Sequence, residues 1–511
     1  MMPSHESPQQ PNPPHSNDTS LPYLSNDANH WPIVLPIVAV AAFALFYKLG
    51  AGSLAAWDEA IYAQVAKEIA EGGDWLTLHW SYQTWFEKPP LLMWATALLF
   101  RLFGVSEFWA RAASAFSGVA LVAVVYFTAK LTNGKQSGVL AATILLTSYH
   151  FLSFGRFGTM DVMLALFTTL AVYAYLRLRK DGKQKHWLWI WLWCGLALMS
   201  KGAGGLIAPA VVLSALIFDG GYRDAFRSRH FWQGVLLATL IVAPWHALMY
   251  AWHGRSFTDE YVGYHVFARM TTTLEGHASG YLYYVGKLVD GFFPWCLIAP
   301  FAVVSHIRRR LRDKSGSWIL LLLCALVFGF YTLIPTRRPW YIVPLYPALA
   351  VIIAVFIVNL YQTYRTRPVL RRIVAAACVV LILIGGAYSV VSLRLNHKPD
   401  DALAKLSRLA RRTNADDRDA LLLFSEAEPF YAQTPLFYSD RPAQNTYASI
   451  EPTSEDAARY VNYRKLADAT GDASKRIILR REDMAPLSAD YDIHVLAEAD
   501  ALAYATIKRR R

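Results

Sequence analysis

The chain runs to 511 residues, 55% of them hydrophobic and only 17% charged, against about 25% charged in an average soluble domain. The apolar residues come in long runs, so the chain reads as a polytopic membrane protein, and no soluble-domain count follows from its length. The formal net charge of +12 does not indicate nucleic acid: most Lys and Arg sit in short connections between apolar runs, and no zinc-finger, recognition-helix or aromatic-basic pattern accompanies them.

Residues 1–30 are polar and rich in Pro, Ser and Asn. They lack the features of a cleaved signal peptide and read as a disordered cytoplasmic tail. A transmembrane unit is expected over 31–393. Its spans, about 11, fall near 32–50, 108–130, 136–154, 159–177, 187–200, 203–218, 232–252, 286–305, 317–334, 340–360 and 370–393. The pair 187–200 and 203–218 is short enough to be one long helix broken at SKGAGG. Between the first two spans lies the loop 51–107. There EAIYAQVAKEIAE (59–71) places Ile61, Val65 and Ile69 at i, i+4 and i+8, which predicts an amphipathic helix along the membrane interface. PPLLMWATALLFRLFG (89–104) predicts a second interfacial or re-entrant helix, with its prolines in the first turn. The four cysteines, Cys194, Cys296, Cys324 and Cys378, lie in apolar runs without CxxC spacing, so neither a disulfide framework nor a cysteine metal site is expected. Beyond 393 the composition turns charged. Strands near 420–424, 435–440, 476–480 and 492–497, with a helix near 400–412, predict a small soluble α/β domain over 394–511 ending in a solvated KRRR. The expected fold class is thus an all-α polytopic membrane protein with a small C-terminal α/β domain on the outer side.

With the N-terminus inside, the inner connections hold 19 Lys and Arg and the outer ones 9, which supports that orientation. Asp58, Glu87, Lys88, Asp161, Lys201, His265, Arg269, Arg337 and Arg338 then all fall on the outer side, several at helix ends. Charges there are costly unless they face a cavity or a partner. Asp58 suits an N-cap for the 59–71 helix, yet with Glu59 beside it and Asp161 at the start of another span it also suits acid–base work or metal binding. Lys88 in FEKPP and the pair Arg337–Arg338 in TRRPWY form a candidate anion site, fit for a lipid phosphate, or else snorkel from the interface. Lys201 in SKG is a further candidate or a helix-end charge. His265, Arg269 and His277 share an outer loop with five tyrosines, Tyr261, Tyr264, Tyr281, Tyr283 and Tyr284, the make-up of an aromatic belt. Glu87 with His265 offers two ligands for a divalent cation, the one cofactor candidate.

The segments WDEAIYAQVAKE (57–68), DW (74–75), FEKPPLLMW (86–94), LFGVSEFWAR (102–111), GRFGTMDVML (155–164), SKG (200–202) and RRPWYIVPLYPALA (337–350) together resemble the bacterial polyprenyl-phosphate-sugar glycosyltransferases of the C-type fold. These include the aminoarabinose transferases that modify lipid A and the protein O-mannosyltransferases. The resemblance covers about 50–360. It implies inverting transfer of a pentose or hexose from polyprenyl phosphate to a lipid or glycan acceptor such as lipid A, at the periplasmic side of the bacterial inner membrane. It implies a monomer with no nucleic-acid partner. Asp58 matches the family's catalytic Asp, and Asp161 its second acidic position. Lys88, Arg337 and Arg338 would stabilise the leaving phosphate, with Glu59, Lys201, Arg269 and Tyr341 as further substrate-binding candidates. Glu87 and His265 fall where some aminoarabinose transferases hold a metal. One position departs: those enzymes usually read DETRY, and this chain reads DEAIY, with Ile61 where a phosphate-contacting Arg stands. A transporter or flippase of lipid-linked sugar, and a non-catalytic scaffold, are the alternatives. The charges gather at one side and no internal repeat is seen, which disfavours transport.

Overall fold

A computed structural model describes residues 31–268, 271–272, 280–313, 318–396, 401–412, 421–425, 433–439, 443–447 and 464–510. The 1–30 tail, Arg269 and His277 lie outside the described residues.

Most of the described chain is helical. The helices begin α1 (Trp31–Phe46), α2 (Asp58–Gly72), α3 (Leu91–Phe103), α4 (Glu107–Asn133), α5 (Lys135–Leu146), α6 (Tyr149–Arg156), α7 (Asp161–Asp181), α8 (His186–Lys201) and α9 (Ile207–Phe218). Among the described residues six helical stretches are long and apolar enough to cross a membrane, with His186–Phe218 counted as one, or seven if α5 and α6, bent by 67° at their junction, count as one span. Such runs, with Leu236, Leu240, Val379 and Leu383 exposed along them, identify a membrane protein. The predicted span 286–305 is interrupted: helix Tyr283–Phe292 stops before Pro294, and a new helix starts at Ala299. Proline supplies no amide for the helix ladder.

The ambiguity at 187–218 is settled by ion pairs at the two ends of α7, about 30 Å apart by helix rise. Lys201, closing α8, pairs with Asp161 at the start of α7. Asp219, just past α9, accepts from Tyr175 Oη at 2.9 Å and from Arg310 at 3.0 Å, near the other end of α7. Arg179 lies 3.8 Å from the same carboxylate. So α8 runs toward the Asp161 end and α9 runs back. Glycine permits the reversal: a Cβ on Gly205 would lie 2.3 Å from the Ala197 carbonyl oxygen.

Helix α2 corrects a second expectation. It does not lie on a surface with one face open, because residues Glu59 to Lys67 and Ile69 are all buried. The helix is amphipathic in sequence, but α3 packs on one side of it and the C-terminal region on another. Its apolar residues join Met160, Met163, Trp245, Phe437 and Tyr438 in one cluster.

The C-terminal region holds a six-stranded sheet in the order β5-β4-β3-β6-β8-β7. Its strands are β3 (Leu421–Phe424), β4 (Ala443–Tyr447), β5 (Arg464–Lys465), β6 (Lys475–Arg480), β7 (Tyr491–Ala499) and β8 (Leu502–Arg509); β1 (His79–Trp80) and β2 (Gln83–Thr84) form a hairpin in the first loop. The predicted strand at 435–440 is instead the helix Gln433–Ser439. Parallel β3 and β4 need a crossover, and the buried helix supplies it. Lys508, Arg509 and Arg510 are exposed, as expected of a solvated end, although the first two finish β8 and Arg510 bonds Asp492 at 2.7 Å.

Candidate active site

Asp58 is the first residue of α2, not its N-cap. The cap position is Trp57, at φ 69° and ψ −131°, with no side-chain capping bond. A bulky residue in that region is held there only by its surroundings. Asp58 is half-buried. It makes no hydrogen bond or ion pair among the described residues, and it lies within electrostatic range of Asp161. Its carboxylate is also favoured by the helix N-terminus.

Glu59 has a different task from the substrate contact expected for it. It is 2% exposed, and its oxygens are taken. They accept from Arg111 Nε at 2.8 Å and Nη2 at 3.1 Å, from the Ala55 amide at 2.7 Å and from the Gly158 amide at 3.0 Å. Arg111, from α4, donates its remaining hydrogens to the carbonyls of Leu49, Ala51, Gly52 and Ser53. One buried ion pair thus ties the segment leading into Asp58 to the turn leading into Asp161.

Asp161 is 2% exposed and pairs with Lys201. The Lys201 Nζ stands 5.0 Å from the centre of the Tyr341 ring, and Tyr341 packs against Tyr331 with ring centres 4.8 Å apart. Gly202 follows Lys201 at φ +57°; a Cβ there would meet Tyr261 Oη at 2.7 Å and the Pro89 ring at 3.5 Å. The SKG turn therefore abuts FEKPP, and Lys88, half-buried, precedes the proline it touches. Tyr261 in turn bonds His246 Nε2 at 3.1 Å, and burial pushes its phenol pKa up.

Arg337 and Arg338 lie just before the short helix Pro339–Ile342 that carries Tyr341. Arg337 donates to the Thr332 carbonyl at 2.8 Å and covers the Tyr281 ring at 5.3 Å. The Arg338 amide donates to Tyr284 Oη at 3.3 Å, and its guanidinium covers Trp340 at 5.5 Å. Tyr281 and Tyr284 thus hold the two arginines.

Glu87 and His265 come together, with Nε2 3.7 Å from the carboxylate and side chains 9% and 3% exposed. Glu260, which the sequence did not single out, completes a trio whose ligand atoms all lie within 4.8 Å of one another. Two carboxylates and an imidazole suit a divalent cation such as zinc. Ile61 is 2% exposed inside the apolar cluster, so position 61 brings no charge to a phosphate.

Residues 87–248 match the family model described as dolichyl-phosphate-mannose-protein mannosyltransferase. The chain is 29% identical over 345 residues to the undecaprenyl phosphate-alpha-4-amino-4-deoxy-L-arabinose arabinosyl transferase of Pectobacterium carotovorum, covering 65% of this chain and 60% of that one. To the same-named protein of an Enterobacter strain it is 26% identical, covering 68% and 64%. The chain thus spans about three fifths of the length of these curated relatives. Among solved structures, ArnT from Cupriavidus metallidurans bound to undecaprenyl phosphate superposes with a TM-score of 0.74 at 20% identity, over 94% of this chain and 98% of that one. The Archaeoglobus fulgidus oligosaccharyltransferase superposes at 0.62 and 12% identity, over 94% and 75%. The resemblance read from the motifs therefore holds, and the chain shares its fold with ArnT and the archaeal oligosaccharyltransferase.

Proposed function

We propose that the chain is an integral-membrane inverting glycosyltransferase that moves a sugar from a polyprenyl phosphate to a lipid or glycan acceptor. The carrying observation is the half-buried Asp58 carboxylate, without a partner among the described residues, within electrostatic range of the Asp161–Lys201 pair. Its relatives' names support an undecaprenyl-phosphate pentose as donor, and the lipid-bound ArnT structure supports a polyprenyl phosphate. Lipid A is the acceptor first to be tried. The surplus of Lys and Arg in alternate connections supports an inner-membrane protein with its site on the periplasmic face. The division into a transmembrane unit over 31–393 and a soluble unit over 394–511 belongs to the same reading.

In this mechanism the acceptor oxygen forms a bond to the anomeric carbon from the face opposite the phosphate. The bond from that carbon to the phosphate oxygen breaks, and its electron pair leaves with the polyprenyl phosphate. One displacement inverts the centre. Asp58 takes the hydroxyl proton. An aspartate with an ordinary pKa near ~3.9 is a weak base, but it suffices when the proton moves late, as the attacking oxygen turns acidic. Lys88, Arg337 and Arg338 face the growing phosphate charge, the term that is often largest in such sites. Asp161, fixed by Lys201, orients sugar or acceptor. A divalent cation, when bound, would be held by Glu87, Glu260 and His265 and would add positive charge beside the phosphate.

The test uses the purified full chain in liposomes with a polyprenyl-phosphate sugar and an acceptor lipid, read by mass spectrometry. Asp58→Asn should lower turnover by about 10²-fold or more at unchanged donor binding. Wild-type turnover in Asp58→Asn refutes the reading.

A further inference from the structure

The C-terminal sheet region grips the segment that carries Asp58. The Ser53 amide donates to Asp401 Oδ1 at 2.9 Å, and the Leu54 amide donates to Tyr438 Oη at 2.9 Å. The Tyr438 hydroxyl passes its own hydrogen to Glu107 at 3.1 Å, and Arg408 pairs with the same carboxylate while covering the Tyr438 ring at 4.3 Å. Lys67 Nζ, on α2 itself, donates to the Phe437 carbonyl at 2.9 Å. Ala404, Phe437 and Tyr438 are buried in the apolar cluster of α2, and from the first loop Trp80 packs on the core of the C-terminal sheet.

Among the described residues these contacts fall on Glu107, on Trp80 and above all on residues 53–67, which are strained at Trp57 and bear Asp58. Arg111, paired with Glu59, holds the lead-in to this segment by the carbonyls of residues 49 to 53, and the sheet region holds it by the Ser53 and Leu54 amides. A segment held by both can keep one unpaired carboxylate aimed, which positioning catalysis requires.

We propose that Tyr438 and Asp401 are positioning residues for Asp58, so that the C-terminal region completes the active site without touching substrate. This rests on the glycosyl-transfer reading above. Asp58 is also the nearest charged residue to these bonds in sequence that has no partner of its own among the described residues, so displacement of the segment acts on it first.

The experiment uses the full chain in liposomes with an undecaprenyl-phosphate sugar donor. It compares Asp58→Asn, Tyr438→Phe, Asp401→Ala and Asp401→Asn with wild type. Turnover is normalised to the stoichiometry of undecaprenyl phosphate bound. Tyr438→Phe keeps the ring in the cluster and removes only the hydroxyl. Tyr438→Phe and Asp401→Ala are expected to lose about tenfold in kcat with donor KM and binding stoichiometry unchanged. Asp401→Asn, which retains an acceptor for the Ser53 amide, should restore most of that loss. If Asp58→Asn is inactive while Tyr438→Phe and Asp401→Ala turn over as wild type, the positioning role is overturned and the transfer reading stands. Equal losses in Asp401→Ala and Asp401→Asn also overturn it. Wild-type turnover in Asp58→Asn removes both.

Discussion

Replacing Arg111 by Met tests the brace behind the site. Methionine has similar length and fills the space, so the change removes charge and donors more than volume. Glu59 would be left 1% exposed at its side chain with two amide donors, Ala55 and Gly158, and no counter-charge. Breaking a buried pair in this way costs about 3–5 kcal/mol. Four backbone carbonyls lose their donor as well, but the segment is partly open and water replaces some of those bonds, so the total stays near the upper part of that range. Glu59→Gln in the same chain as Arg111→Met removes the orphaned charge, and the double variant should recover at least about 2 kcal/mol relative to additivity. The assay is unfolding of the purified protein by SDS titration in mixed micelles, followed by near-ultraviolet circular dichroism. A cost under about 1 kcal/mol for Arg111→Met, or strict additivity of the two changes, refutes the brace.

Further outcomes are expected elsewhere. Burial lowers the Lys67 pKa from 10.5 to about 8; the folded state therefore sheds this proton earlier than the unfolded one, and stability rises as pH goes from about 8 to 10.5, by up to about 3 kcal/mol. Hydrogen exchange in 433–439 at pH 7.5 and 9.5 should slow at the higher pH, relative to intrinsic rates, and Lys67→Met should remove the difference. Gly202→Ala combines a positive φ with a 2.7 Å approach to Tyr261, so it should lower thermal stability by about 1–3 kcal/mol and displace Lys201, seen as reduced turnover. Glu260→Gln, which keeps an acceptor for the Phe86 amide, should lower zinc retained after dialysis, measured by elemental analysis. Lys88→Ala should weaken undecaprenyl-phosphate binding by about tenfold, in a salt-sensitive manner, read by fluorescence titration.

The membrane character and the acidic and basic motifs are legible because each is local: a run of apolar residues, a DE pair after such a run, a KPP turn. Lys201 meeting Asp161 could be read only as two charges on one side. Other features depend on residues far apart in sequence. Glu59 reads as a substrate-binding candidate because nothing near it announces Arg111, 52 positions on. Glu260 sits in an ordinary TDEY stretch and gains its meaning only when that turn reaches Phe86 and Glu87. The helix at 433–439 reads PLFYS, rich in strand formers, and topology overrides that propensity. The burial of α2 was missed for the same reason: its second partner lies 370 residues away at Phe437.

That separation has a consequence for biosynthesis. A ribosome adding about 5–20 residues per second finishes α2 roughly 20–70 s before it makes Phe437. During that interval the loop stands at the bilayer surface with the Leu54 amide, the Lys67 ammonium and one flank of its apolar cluster uncovered. The acceptors and the covering aromatic residues arrive only with the sheet region. A chain stalled or clipped before 433 would therefore display an apolar, charged surface that a quality-control protease can read, in a protein whose membrane helices are otherwise assembled.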